Sequence, residues 1–124
     1  RFMFWKKSQP VEGVNWNQLS SENQLQVLIE ESKDQPVLIY KHSTRCSISS
    51  MVMERLERSW TSEDNPIKPY ILDLISFREL SNAVAQTFQV YHESPQVILI
   101  KDGKAIYSAS HMQVSFDAMK REIQ

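Results

Sequence analysis

The chain is poor in glycine and nearly without cysteine. Its 124 residues include two glycines, Gly13 and Gly103, and one cysteine, Cys46. An average composition would supply about nine glycines at this length. With the two so far apart, neither a Walker A loop nor a G-x-G-x-x-G dinucleotide turn can be written anywhere. One cysteine cannot close an intrachain disulfide, and cysteine-rich zinc sites are excluded. The histidines, His42, His92 and His111, are scattered, so a helical His-x-x-x-His metal site is absent and no metal is expected. An excess of charge of either sign is also lacking. Lys+Arg is 14 against Asp+Glu 15, a formal net charge of −1. Such a chain has no electrostatic footprint for nucleic acid. No apolar run approaches the ~20 residues of a membrane span, and no membrane association is expected. The opening Arg1-Phe2-Met3-Phe4-Trp5-Lys6-Lys7 has too short an apolar stretch for a signal peptide, so the expected compartment is a reducing cytoplasm.

What remains reads as one α/β domain with an arm. Residues 1–12 form the arm, whose Phe2, Phe4 and Trp5 are candidates for docking on the domain surface or on a partner. Residues 13–124 form the domain. A chain of this size buries roughly two-thirds of its unfolded surface and needs no disulfide staples.

Ser21-x-x-Gln24 reads as a capping box that opens a helix with Leu25, Leu28, Ile29 and Ser32 on one face. Pro36 ends that helix region, since proline cannot continue it. Val37-Leu38-Ile39-Tyr40 is a continuous apolar run, as in a strand covered on both faces. Lys41 to Arg45 reads as a polar loop. A second helix follows, with Ile48, Met51, Val52, Leu56 and Trp60 at helical spacing and Glu54 and Arg58 as an i,i+4 pair. Asn65-Pro66 stops it. Tyr70 to Leu74 reads as another strand, and Ser76-x-x-Glu79 as a second capping box for a helix with Leu80, Val84 and Phe88 inward. Val97 to Ile100 is a third buried strand. Asp102-Gly103 is a hairpin turn, returning through roughly Lys104 to Ser108. Ser115 caps a last helix, with Asp117 suited to its dipole and Phe116, Met119 and Ile123 inward. The order α-β-α-β-α-β-β-α, with right-handed parallel crossovers, predicts a four-stranded mixed sheet flanked by helices on both faces. Trp16 and Trp60 read as core or core-edge packing, and Met51, Met53 and Met119 as gap-fillers.

Cys46 falls where the polar loop after the first apolar strand meets the next helix. The first helical N–H groups lack intrahelical partners, and the helix dipole puts partial positive charge there. Both favour a thiolate, the nucleophilic form. Arg45 is adjacent and Lys41 is near in sequence, adding cationic character. The alternative is an inert small hydrophobe. The polar neighbours Ser43, Thr44, Arg45, Ser47 and Ser49 favour the reactive reading. Cys-x-x-Cys here would be a dithiol redox motif, but the sequence reads Cys46-Ser47-Ile48-Ser49. Ser49 cannot resolve a mixed disulfide. It either donates a hydrogen bond to the Cys46 thiolate or satisfies free N–H groups of the first turn. His42, just before the cysteine, is a candidate for tuning it. For Ser94-Pro95, the general statistics of X-Pro bonds favour trans.

The loop Ser43-Thr44-Arg45-Cys46-Ser47-Ile48-Ser49, the Ser94-Pro95 step before a strand and the Asp102-Gly103 hairpin together resemble the thioredoxin-like superfamily. More closely, the chain resembles the bacillithiol-system redox-active proteins, the YtxJ family of monothiol bacilliredoxins, from about Asn15 to Ile123. Thr-Arg-Cys-x-Ile-Ser is the most specific stretch; the fold pattern alone is shared by many functions. The resemblance implies a small cytoplasmic oxidoreductase that removes bacillithiol from S-bacillithiolated proteins. Cys46 would be the attacking thiol, with Arg45, Ser47 and Ser49 stabilising its thiolate. Pro95 would be a cis-proline facing it. Ser94 would offer backbone hydrogen bonds to the substrate, and Thr44 would join Ser94 and Pro95 in binding it. No tightly bound cofactor is implied, and bacillithiol serves as thiol co-substrate. An outside thiol, free bacillithiol or another redoxin or reductase, must resolve the intermediate. Arg45, Lys41 and Lys101 are candidates to attract bacillithiol carboxylates. Ser47 departs from relatives in which proline often follows the cysteine: serine keeps a backbone N–H but gives up proline's rigidity. Two other readings compete, a thioredoxin-like binding module without catalysis and a redox sensor modified at Cys46. A cysteine hydrolase is disfavoured, because no motif marks a histidine as its base.

Overall fold

A computed structural model describes residues 14–61 and 63–124, so the arm at residues 1–12 lies outside the described residues. Five strands form one sheet. They are β1 (Asn17–Gln18), β2 (Val37–His42), β3 (Lys68–Asp73), β4 (Gln96–Lys101) and β5 (Lys104–Ser110), in the spatial order β1-β3-β2-β4-β5. β1 runs parallel to β3 and β3 parallel to β2, whereas β4 and β5 add antiparallel pairs. The four-stranded expectation is thus corrected to five. The added strand, β1, is two exposed polar residues with no apolar alternation, and its pairing comes from the open edge of β3.

Four helices cover the sheet: α1 (Glu22–Glu31), α2 (Ser47–Ser59), α3 (Arg78–Phe88) and α4 (Phe116–Glu122). On one face, Leu25 and Leu28 of α1 and Leu80, Val84 and Phe88 of α3 pack on Val37, Ile39, Ile98 and Ile100. On the other, Val52 and Leu56 of α2 and Phe116 and Met119 of α4 pack on Leu38, Tyr40, Val97 and Leu99. Successive strand residues feed opposite faces, which is why the run from Val37 to Tyr40 has no polar position.

Local signals mostly act where expected. Ser21 and Gln24 form a reciprocal capping box, and Ser115 Oγ accepts from the Ala118 N–H. Asp102 and Gly103 have φ of 53° and 77°, the left-handed pair a type I′ turn requires. Its amides are held by Ser32, through the carbonyl and Oγ. Trp16 packs at the core edge against Tyr40 and Trp60.

Four expectations are corrected. The Ser76 capping box does not form: α3 has Phe77 as its uncapped N-cap, and Ser76 Oγ donates to Asp73 Oδ2. Asp73 organises this turn instead, also accepting from the Ile75 N–H. The inward face of α2 is Ser49, Val52 and Leu56, while Ile48 and Met51 are exposed at 46% and 49%. The polar Ser49 had masked that phase. β2 continues two residues past Tyr40, so Lys41 and His42 are strand rather than loop. β5 likewise runs on to Ser110.

Candidate active site

The end of β2 and the start of β4 are adjacent, with Lys41 opposite Gln96. The loop leading to Cys46 and the Ser94–Pro95 step therefore emerge at the same end of the sheet. Ser94–Pro95 is a cis peptide bond, as the resemblance implies.

Cys46 is the N-cap of α2, a half-buried free thiol in extended backbone whose side chain makes no capping bond. Its N–H donates to the Ser43 carbonyl at 3.2 Å, and its carbonyl accepts from the Ser50 N–H at 3.2 Å. Thr44 and Arg45 are exposed on the turn before it. Ser47 is exposed and opens the helix directly, at the position where proline is also favoured. Ser49, one turn on, is fully buried. Its Oγ accepts from the Ser43 N–H at 3.1 Å and pairs with His42 Nδ1 at 2.7 Å. Neither expected role of Ser49 is met: its hydroxyl is committed to His42 and Ser43 and makes no bond to the Cys46 sulfur, and the amide it satisfies is in the loop, not in the first turn. Tyr40 OH donates to the Ser49 carbonyl at 2.9 Å. Burial pushes the Tyr40 phenol up to about 12, so it stays a donor. Burial also lowers His42 from the usual imidazole range, against the opposing pull of Asp73 and Glu57. His42 is therefore neutral at pH 7.

The cations expected around the thiol are arranged differently. Lys41 is fully buried on the α1/α3 face, where its Nζ donates to the Ser81 carbonyl at 3.2 Å and lies 3.1 Å from His92 Nδ1. Strand alternation sends it away from the face of Ser49 and His42. Lys101 sits at the opposite end of the sheet, beyond the Val37–Ile100 pair. Neither can meet a ligand at Cys46. Arg45 alone of the three lies next to the thiol and is exposed.

Pro95 is buried and its carbonyl accepts from the His111 N–H at 3.0 Å. The Ser94 Oγ is buried and makes no hydrogen bond among the described residues. Arg55 of α2 donates to the carbonyls of Met112 and Val114, tying the helix to the segment after β5. Sequence reasoning missed the roles of Lys41, Ser81 and Gln96. No local signal marked them, because a lysine after the apolar run Val37–Tyr40 reads as the exit of the strand to water, and only the observed strand carries it on to His42. No cluster of three or more His, Cys, Asp or Glu suited to a metal occurs among the described residues. No helix among them is long and apolar enough to cross a membrane.

A mixed sheet with helices on both faces, a cysteine at the start of α2 and a cis-proline before β4 define a thioredoxin-fold protein. The solved structures agree. A protein described as a candidate oxidoreductase with a thioredoxin fold is 27% identical, with a TM-score of 0.74 over 86% of this chain and 92% of its own. The thioredoxin of Malassezia sympodialis, at 18% identity, superposes with a TM-score of 0.69 over 95% of this chain and 96% of its own. Thioredoxin from Nicotiana alata, at 19% identity, gives 0.67 over 94% and 96%. Within that fold, the sequence profile of the monothiol bacilliredoxin BrxC matches residues 17–119, and the chain belongs to this family.

Proposed function

We propose that this protein is a monothiol thiol-disulfide oxidoreductase that removes bacillithiol from S-bacillithiolated proteins in a reducing cytoplasm. The observation that carries the reading is the chain's one sulfhydryl at the N-cap of α2, with a buried serine where a dithiol enzyme would keep its second sulfur. In the first step the Cys46 thiolate attacks the bacillithiol sulfur of the mixed disulfide. A new S–S bond joins Cys46 to bacillithiol, and the target sulfur leaves with the electron pair as a thiolate. In the second step the thiolate of an outside thiol attacks the bacillithiol sulfur held on Cys46. Cys46 is released as thiolate and the two outside sulfurs leave as a disulfide. Free bacillithiol or another redoxin can supply that thiol. Arg45, Ser47 and the first-turn amides favour negative charge on sulfur. Thr44, Ser94 and Pro95 line the approach, with the Ser94 backbone offered to the substrate segment.

Intact mass spectrometry after incubation with bacillithiol disulfide and, separately, glutathione disulfide tests this. The expected result is one bacillithiol adduct on wild type, none on Cys46→Ala, and little glutathione adduct. A wild-type chain without any bacillithiol adduct overturns the reading. So does a bacillithiolated client that stays modified in its presence with bacillithiol as reductant.

A further inference from the structure

Burying a polar side chain is costly unless its hydrogen bonds are made. Among the described residues, the buried polar ones are Ser32, Lys41, Ser43, Ser49, Ser81 and Gln96. Ser32 closes the Asp102–Gly103 turn at the far end of the sheet. The other five gather at the Cys46 end. Ser43 and Ser49 belong to the cysteine loop described above. Lys41, Ser81 and Gln96 lie on the opposite face, and the cysteine loop makes no use of them.

Lys41 and Gln96 face each other across the β2–β4 ladder, so their side chains share a face. Lys41 Nζ bonds His92 Nδ1 at 3.1 Å and the Ser81 carbonyl at 3.2 Å. Gln96 Nε2 donates to the Tyr91 carbonyl at 2.9 Å, and its Oε1 accepts from the Glu93 N–H at 3.3 Å. Three consecutive loop residues, Tyr91, His92 and Glu93, are thus each held by a side chain from the end of β2 or the start of β4. The loop has no regular structure of its own, and the Tyr91 side chain, 93% exposed, does not anchor it. It leads directly into Ser94 and Pro95.

We propose that Lys41 and Gln96 are positioning residues that fix the 91–93 loop, and through it the Ser94–Pro95 step that meets the substrate disulfide. This rests on the oxidoreductase reading above. An apolar side chain at position 41 would be cheaper to bury than an ammonium without a carboxylate partner. The ammonium persists here with the loop histidine and a helix carbonyl as its partners.

The pair has a working pH interval. Burial lowers Lys41 to about 8. Burial, then the charges of Lys41 and Arg78, lower His92 from the usual imidazole range, while Glu93 pulls the other way. These, with uncharged Ser81 and Gln96, are the groups facing the pair from α3, the loop and β4. Between the two titrations Lys41 is charged and His92 Nδ1 accepts its proton. At lower pH a cationic His92 faces the ammonium, and at higher pH the bond loses its charge assistance.

The test uses the full chain and Lys41→Met, with His92→Ala as a second variant that removes the same bond from an exposed loop position. Losing a charge-assisted bond predicts about tenfold faster hydrogen exchange at the Glu93 amide, with α2 unchanged. For a bacillithiolated protein substrate, KM rises by about tenfold while kcat stays within about twofold. Alkylation of Cys46 by iodoacetamide keeps its wild-type rate. Unchanged exchange and KM in both variants overturn the proposal, and so does a parallel loss of alkylation, which would mark a general structural effect. If wild type itself lacks turnover, the oxidoreductase reading fails, while the exchange measurement still decides whether Lys41 holds the loop.

Discussion

Two polar clusters flank the same end of the sheet, one on each face, and they are built from opposite materials. On the α2 face, Tyr40, His42, Ser43 and Ser49 form a neutral network around the loop that carries Cys46. On the α3 face, Lys41, Ser81, Gln96 and His92 form a cationic one around the loop that leads to Pro95. The neutral network has nothing that changes charge between pH 7 and 9, since Tyr40 titrates near 12 and His42 below the usual range. The cationic network is set to titrate near 8. The loop that carries Cys46 is therefore held by a framework indifferent to pH, whereas the loop that leads to Pro95 is held by one that responds to it.

The strongest way to break this contrast is Ser49→Ala. The change leaves the buried Ser43 N–H without its acceptor, a loss of about 1–3 kcal/mol. The urea midpoint should fall with an unchanged m-value, and mixed-disulfide formation on Cys46 should slow. Exchange at the Glu93 amide should stay as in wild type. If that amide loosens equally, the two clusters are one unit and the contrast fails.

A second test sharpens the charge difference through stability. The Lys41 ammonium is buried in the folded chain, so its folded value, about 8, lies below the 10.5 of an unperturbed lysine. Between those values the unfolded chain binds more protons, so this residue makes stability rise as pH rises through the interval. Below about 8 both states are charged and the full cost of burial is felt; above 10.5 the cost is gone. Lys41→Met should thus be more stable than wild type at pH 7, with the gap shrinking steadily from about pH 8 toward 10.5. Lys68 and Tyr70 also titrate in the alkaline range, so the comparison is the difference between the two proteins at each pH. Parallel stability profiles would show that the lysine is not buried as a charge.

The neutral cluster was half legible in the sequence and the cationic one hardly at all. Cys46 stood out because a strand–loop–helix junction has a local signature, and Ser49 because it occupies the place of a second sulfur. The apolar runs at Val37–Tyr40 and Val97–Ile100 marked both central strands. Lys41 read as loop because a lysine at the end of an apolar run usually marks its exit to water. Its polar partners, the Ser81 carbonyl and His92 Nδ1, come from α3 and from the loop before β4, far off in the chain. No pattern local to residue 41 encodes that. The outward turn of Ile48 and Met51 was hidden for a related reason: the helix phase is set by Ser49, whose burial follows from its bonds to Ser43 and His42 and not from hydropathy. β1 carried no pattern at all, being two polar residues that borrow an edge.

The mildest test separates the parts of the neutral network. Tyr40 is fully buried, and its hydroxyl gives the Ser49 carbonyl a bond beyond the one that carbonyl accepts within α2. Tyr40→Phe removes the donor while keeping the ring and leaves no backbone group unsatisfied. The expected loss is about 0.5–1.5 kcal/mol, below that of Ser49→Ala, with the rate of bacillithiol adduct formation changed by less than about twofold. The urea midpoint and the adduct rate measured on the same variant check it. A loss larger than that of Ser49→Ala would move the centre of the network from the serine hydroxyl to the tyrosine. The cysteine loop would then be held by the helix position that Tyr40 fixes, and the Ser43–Ser49 bond would follow from that placement rather than cause it.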